Sequence, residues 1–282
     1  MTVRTEILAK QGDEVLVDDT SDTRYQIASV SKQFTAAAVL LLAEKGALAL
    51  DDDLGRWIGG WPPITLHQLL THTAGIGHWH DYPETDLEAE DAPERLLETF
   101  RSRPPLFPPG DGWAYSSPGY VLLAHVVERT AGTPYRGFLA DRIFTPLGLT
   151  RTFAGNAALD EPDVARGHDA DGNEVPSWEL DVTGMGAGDL WSTAHDLLTW
   201  LDALTTDELL SERSRALMLT ERAGGYGYGM FVGEVDGRPC WYHTGHNQGF
   251  KALAGRIPAV DRRVVVLSNT ERTDPRTVEG LF

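Results

Sequence analysis

From Phe34 to Ala43 the chain is apolar on nearly every side, which predicts a helix buried all round rather than one with a single apolar stripe. Glu44, Lys45 and Gly46 close it with polar residues and a glycine suited to a left-handed C-terminal position. Toward both ends of the chain the period shortens to two. Glu6 to Ala9 and Glu14 to Asp18 flank Gln11-Gly12-Asp13 as a hairpin. Tyr228 to Val235, Arg238 to His243, Phe250 to Ile257 and Arg262 to Ser268 read as four further strands, with Asp236-Gly237 as a two-residue hairpin turn. Between Leu48 and Asp181, proline-rich loops alternate with helical stretches such as Tyr120 to Gly132. Hairpins at both ends predict an α+β fold: one antiparallel sheet assembled from both termini and flanked by helices, with a mostly helical lobe inserted. The boundaries read as 1–50 and 182–282 for the sheet lobe and 51–181 for the helical one.

Composition narrows the partners. The 282 residues carry 42 acidic against 24 basic side chains, a formal net charge of −18. So acidic a surface repels phosphate backbones and anionic lipids, which argues against nucleic-acid and membrane partners and leaves a small molecule. The first residues, Met1 to Ile7, hold no apolar core of signal-peptide length, so a cytoplasmic location is expected unless a leader has been removed. Cys240 is the single cysteine, which rules out an intrachain disulfide.

The candidate chemistry starts at the mouth of the apolar helix. Ser29 and Lys32 are three residues apart, so on a helix the hydroxyl and the amine stack on one face. A serine hydroxyl needs such a neighbour to become a nucleophile. In isolation the same pattern also suits a simple helix cap. A lysine at the start of a buried helix, however, needs a partner or a lowered pKa. Trp113-Ala114-Tyr115-Ser116-Ser117 presents a phenol on a turn-rich loop, and Tyr242-His243-Thr244-Gly245-His246 runs out of a strand. Core packing for Tyr115 and a strand-edge position for His243 are the plain alternatives. His78-Trp79-His80 followed by the carboxylate-rich stretch Asp81 to Glu98 suggests either a metal site or a solvated loop rimming a cleft, and the loop is the stronger reading because no ligand spacing is present. Trp79, Trp113, Tyr226, Tyr228 and Trp241 are candidates for an acyl pocket or for the core.

Taken in order, Ser29-x-x-Lys32, Tyr115-x-Ser117 and His243-Thr244-Gly245 resemble the serine β-lactamase and penicillin-binding-protein superfamily, in its class C β-lactamase, esterase and DD-peptidase branch. Ile64 to Ile76, Ile143 to Leu149, and Gly186-Ala187-Gly188 followed by Ser192 to Asp196 agree, so the resemblance spans Tyr25 to Asn269. It implies a β-lactamase/transpeptidase-like fold with the site in a cleft between lobes and no metal or organic cofactor. It further implies that Ser29 is the acylated nucleophile and that Lys32 sits hydrogen-bonded between Ser29 and Tyr115. Tyr115 would then be the general base, and the backbone N–H groups of Ser29 and His246 the oxyanion hole. Ser117, Thr244 and Gly245 would contact substrate. His243 stands where relatives often carry lysine, and would titrate near neutrality as a weaker clamp for a carboxylate. Ser117 stands where asparagine is usual and offers one donor instead of an amide, which favours ester over amide recognition. The expected function is therefore a serine hydrolase acting through acyl-Ser29 on carboxylic esters or small amides. A β-lactamase, a D-amino-acid peptidase, a transacylase and a catalytically silent ligand-binding protein are the alternatives.

Overall fold

The computed structural model describes residues 3–89, 92–156 and 162–276. In chain order the elements are β1 (Thr5–Gln11), β2 (Glu14–Asp19), β3 (Tyr25–Gln26), α1 (Ser31–Glu44), α2 (Leu66–Leu70), α3 (Pro93–Ser102), α4 (Ser117–Ala131), α5 (Tyr135–Leu139), α6 (Thr145–Leu147), β4 (Phe153–Ala154), β5 (Leu190–Ser192), α7 (Ala194–Ala203), α8 (Glu212–Leu219), β6 (Phe231–Val235), β7 (Arg238–Asn247), β8 (Phe250–Ile257) and β9 (Arg262–Ser268).

Six strands form one antiparallel sheet in the order β2-β1-β9-β8-β7-β6. The N-terminal hairpin joins the C-terminal strands through β1 on β9, with Thr5 opposite Ser268 and Gln11 opposite Arg262. A second sheet, β3-β5-β4, ties the segment before the nucleophile to the middle of the chain. Strands β8 and β9 are buried on both faces, which explains their continuous apolar runs. The β6–β7 turn places Asp236 and Gly237 at φ 51° and 70°, the double positive φ that Asp-Gly accommodates.

Helix α1 lies in the centre, with Phe34 stacked on Trp200 of α7 at 4.0 Å between ring centroids. Its all-round burial follows from packing on several elements at once, and Gly46 closes it at φ 65°. Helix α4 begins at Ser116, whose hydroxyl accepts from Gly119 N–H at 3.0 Å, and ends at left-handed Gly132.

The structure departs from the sequence reading in three places. Strand β7 runs four residues beyond His243, and β6 begins at Phe231 rather than Tyr228. The stretch from Asp81 to Glu98 is not one loop. From Pro93 it is helix α3, which buries Leu96, Leu97 and Phe100. Asp274-Pro275 also resembles a helix start in the sequence, and the residues that would follow, 277–282, lie outside the described residues. Among the described residues no helix is long and apolar enough to cross a membrane.

Candidate active site

Ser29 sits in a 3-10 turn, Ala28–Val30, immediately before α1. Ala28 is held at φ 48°, a left-handed conformation that costs a non-glycine residue about 1–3 kcal/mol and is characteristic of functional turns. Strand β7 presses against this turn. A Cβ on Gly245 would lie 2.2 Å from the Ile27 carbonyl oxygen, so only glycine permits the approach. Because β6 pairs with β7 no further than Tyr242, the edge from His243 to Asn247 has a strand on one side only. That edge and the Ser29 turn border a cleft of 340 Å³. Ser29, Tyr115, Ser117, His243, Thr244, Gly245 and His246 all line it. The two residues assigned by resemblance to an oxyanion hole, Ser29 and His246, therefore border one cavity.

Lys32 lies beneath the cleft, wholly buried. Its Nζ contacts Ser29 Oγ at 3.0 Å, Ser117 Oγ at 3.1 Å and the Ala187 carbonyl oxygen at 2.6 Å. Burial holds its pKa well below the ordinary lysine value, with Asp189 opposing in part. Burial therefore favours the neutral amine, which has two N–H groups and one lone pair.

Tyr115 departs from the expected arrangement. Lys32 Nζ stands 5.0 Å from the centre of the Tyr115 ring and is not hydrogen-bonded to its oxygen. The ring borders the cleft, yet its hydroxyl is enclosed and makes no hydrogen bond. The hydroxyls of Ser29 and Ser117 lie near it outside bonding geometry and offset only part of the burial, which raises the phenol above its usual value. With a neutral lysine there is no cation to pull it down, so the resting group is a phenol and not a base.

His243 is also corrected. Burial first, and Lys32 second, lower its pKa to about 3. It does not titrate near neutrality. Its Nδ1 donates to the Thr244 carbonyl at 2.5 Å, and Tyr226 donates its hydroxyl proton to Nε2 at 3.0 Å, which is the pattern of a neutral ring.

Several residues that shape the site carry no motif. His72, at φ 61°, accepts the Ser116 N–H at 3.1 Å and packs 4.5 Å from the Tyr115 ring. His78 accepts the Ser117 N–H at 3.2 Å, and burial with Lys32 lowers it to about 4. Asn247 donates to Gln26 and to the Gly188 carbonyl, fixing the far end of the β7 edge. Of the aromatic candidates Trp79 lines the cleft and Tyr226 backs His243, whereas Trp113, Tyr228 and Trp241 do not line it. Leu87, Trp178 and Phe231 complete its apolar wall. The left-handed backbone of His72 has no sequence signal, since its role rests on backbone geometry. Among the described residues no group of three or more His, Cys, Asp or Glu side chains is placed to hold a metal ion.

The fold, an antiparallel sheet flanked by helices with a buried Ser-x-x-Lys turn at its edge, is the β-lactamase and penicillin-binding-protein fold. The D-stereospecific amidohydrolase from Streptomyces sp. superposes with a TM-score of 0.83 at 26% identity, covering 95% of this chain and 89% of that one. The chain belongs to the Beta-lactamase family, which matches it over residues 9–281. It is 29% identical to Penicillin-binding protein 4* of Bacillus subtilis over 89% of this chain and 62% of that protein. It is 30% identical to Esterase EstB of Burkholderia gladioli over 88% of this chain and 78% of that protein. The chain thus spans somewhat less than two thirds of the length of the first of these relatives.

Proposed function

We propose that the chain is a serine hydrolase that forms an acyl-enzyme on Ser29 and acts on uncharged carboxylic esters or small amides, in the cleft between the 51–181 lobe and the sheet lobe. The observation that carries this reading is the contact of the wholly buried Lys32 amine, whose pKa burial lowers, with Ser29 Oγ. The Ala187 carbonyl can only accept, so it takes one of the two amine hydrogens. The lone pair is left to receive the Ser29 proton as Oγ attacks the substrate carbonyl. Lys32 is then the base; Tyr115 gives its phenol proton to the leaving alcohol or amine, and the proton taken up by Lys32 passes through the Ser117 hydroxyl to restore the phenol. Backbone N–H groups of Ser29 and His246 hold the oxyanion. Water repeats the sequence on the acyl-enzyme and releases the acid.

The charge of the cleft supports esters and uncharged amides over substrates that need a carboxylate clamp. Its basic lining groups are His78, His243 and His246. The first two are neutral, and His246 contacts the Glu271 carboxylate at 2.9 Å. The buried Glu179 is already engaged by the N–H groups of Asp181 and Thr183, each at 2.7 Å. Among the relatives, Esterase EstB accords with this reading.

The test is hydrolysis of a short-chain p-nitrophenyl ester by the native protein beside Ser29→Ala. Turnover in the native protein and its loss in a folded Ser29→Ala variant are expected. Equal background rates in both would favour a silent ligand-binding protein.

A further inference from the structure

The segment Ala187-Gly188-Asp189 runs between the catalytic cleft and a second cavity. Ala187 and Gly188 line the cleft, and Asp189 lines the other cavity, which has a volume of 320 Å³. Three carboxylates border that second space, and two of them are spent. Glu128 accepts the Tyr135 N–H at 2.9 Å and contacts His125 at 3.3 Å. Asp181 pairs with Arg136 at 3.3 Å and with the Asn156 amide at 3.0 Å. Asp189 differs from both. It is 1% exposed, and its Oδ1 has no hydrogen-bond partner. A buried carboxylate oxygen without a partner is costly, and an asparagine or a small apolar residue would avoid the charge.

What faces Asp189 gives the cost a purpose. Lys32 acts on it from α1, Tyr135 from α5, and Asp181 from the preceding loop, while Glu128 and Arg136 share its cavity. Lys32 is surrounded by groups that hold no negative charge: the rings of Tyr115 and Tyr120 at 5.0 and 5.7 Å, and the neutral His72, His78 and His243, whose charged forms it opposes. Among the described residues the acid that acts on Lys32 is Asp189. The link is also mechanical, since the Lys32 amine bonds the carbonyl of Ala187, two residues before Asp189.

We infer that Asp189 is a positioning residue that governs the charge of Lys32 from behind the site, with the second cavity as the route by which solvent protons reach it. This rests on Lys32 being the base. The two groups share protons as a pair, so the ion-paired form, with the proton on Lys32 and Asp189 ionised, competes with the neutral lysine that accepts from Ser29. Burial lifts the Asp189 carboxyl to about 7, so its ionisation falls near neutral pH. Removing the carboxylate removes the ion-paired form. Lys32 then stays neutral to lower pH.

The experiment is the pH dependence of kcat/KM for a p-nitrophenyl ester in the native protein, Asp189→Asn and Lys32→Met. Asp189→Asn is expected to move the acid limb down by about one pH unit, which reads as about tenfold higher kcat/KM on the acid flank. An unmoved limb, or a uniform fall at every pH, assigns Asp189 a structural role and overturns the inference. Lys32→Met separates the two readings: if it retains turnover the base assignment fails, and if it is inactive while the Asp189→Asn limb is unmoved only the present inference fails. A second measurement covers a variant that does not fold. The chain has four lysines, Lys10, Lys32, Lys45 and Lys251, so the Lys32 side chain of the native protein can be followed by NMR with 13C-labelled lysine. A Lys32 titration with two inflections, one of them near that of Asp189, is expected, and a single inflection counts against the coupling.

Discussion

The Lys32 amine and the Tyr115 hydroxyl are both enclosed, with the amine 5.0 Å from the centre of the Tyr115 ring, yet the amine touches three oxygens and the phenol bonds to none. The floor of the cleft is a closed network. Ser29, Ser117 and the Ala187 carbonyl fix where the nitrogen sits, and its burial keeps it neutral. The wall above it, made of Tyr115, His72, His78 and His243, is packed ring on ring, with the Tyr115 hydroxyl and His72 Nε2 left unpaired. A filled network sets geometry before substrate arrives. An unfilled one keeps a donor free for charge that develops later, in the tetrahedral intermediate or the leaving group.

If the floor supplies the base, removing it should have the larger effect. Lys32→Met is expected to lower kcat/KM by about 10³-fold or more, within the upper range for lost general base catalysis. Stability should move the other way. The unfolded chain holds a proton on Lys32 up to its ordinary pKa while the folded chain does not, so folding releases that proton and native stability falls as pH decreases. Methionine removes this linkage, so the melting temperature at pH 7 should not fall, and the difference from native should widen as pH is lowered from the ordinary lysine value of 10.5 toward 7. Thermal unfolding at several pH values checks it, and a variant uniformly less stable would show the hydrogen bonds outweigh the desolvation.

Tyr115→Phe tests the wall. Loss of the proton relay is expected to cost about 10²-fold in kcat. The same change deletes a buried hydroxyl without a partner, whose burial costs about 1–3 kcal/mol, so the variant should be the more stable protein. A fall in both quantities would mean that the hydroxyl is bonded in the native state, and the contrast between floor and wall would collapse.

How much of this was legible in the sequence divides along the same line. Strands β8 and β9 agree with the alternating and apolar runs residue for residue, because turns bound them on both sides. Strand β7 was cut short at His243, where Thr244-Gly245 reads as a break. Gly245 is instead demanded by the close approach to Ile27, a tertiary contact with no local signature. Helix α3 was hidden because carboxylates around Leu96, Leu97 and Phe100 outweighed their helical spacing after Pro93. The side chains of the floor were readable as Ser29 and Lys32, but the Ala187 carbonyl was not, since a backbone oxygen has no residue type. The charge states were illegible for a related reason. That His243 is neutral and that the Lys32 pKa is lowered follow from burial, which the motif does not encode.

The finest test concerns the one residue that belongs to both regions. Ser117 takes Lys32 through its hydroxyl, gives its N–H to His78, and borders the cleft at 4% exposure. Its single hydroxyl is engaged by the lysine, which leaves little capacity to hold the carbonyl of an amide side chain. Asparagine would keep an oxygen for Lys32 and add an NH2 directed at substrate. Ser117→Asn is therefore expected to raise the ratio of amide to ester turnover by roughly 3- to 10-fold, the equivalent of about one net hydrogen bond. Matched p-nitroanilide and p-nitrophenyl ester substrates with one acyl group give that ratio directly. An unchanged ratio would show that the preference for esters is set elsewhere, by the neutral histidines of the wall rather than by the residue that joins wall to floor.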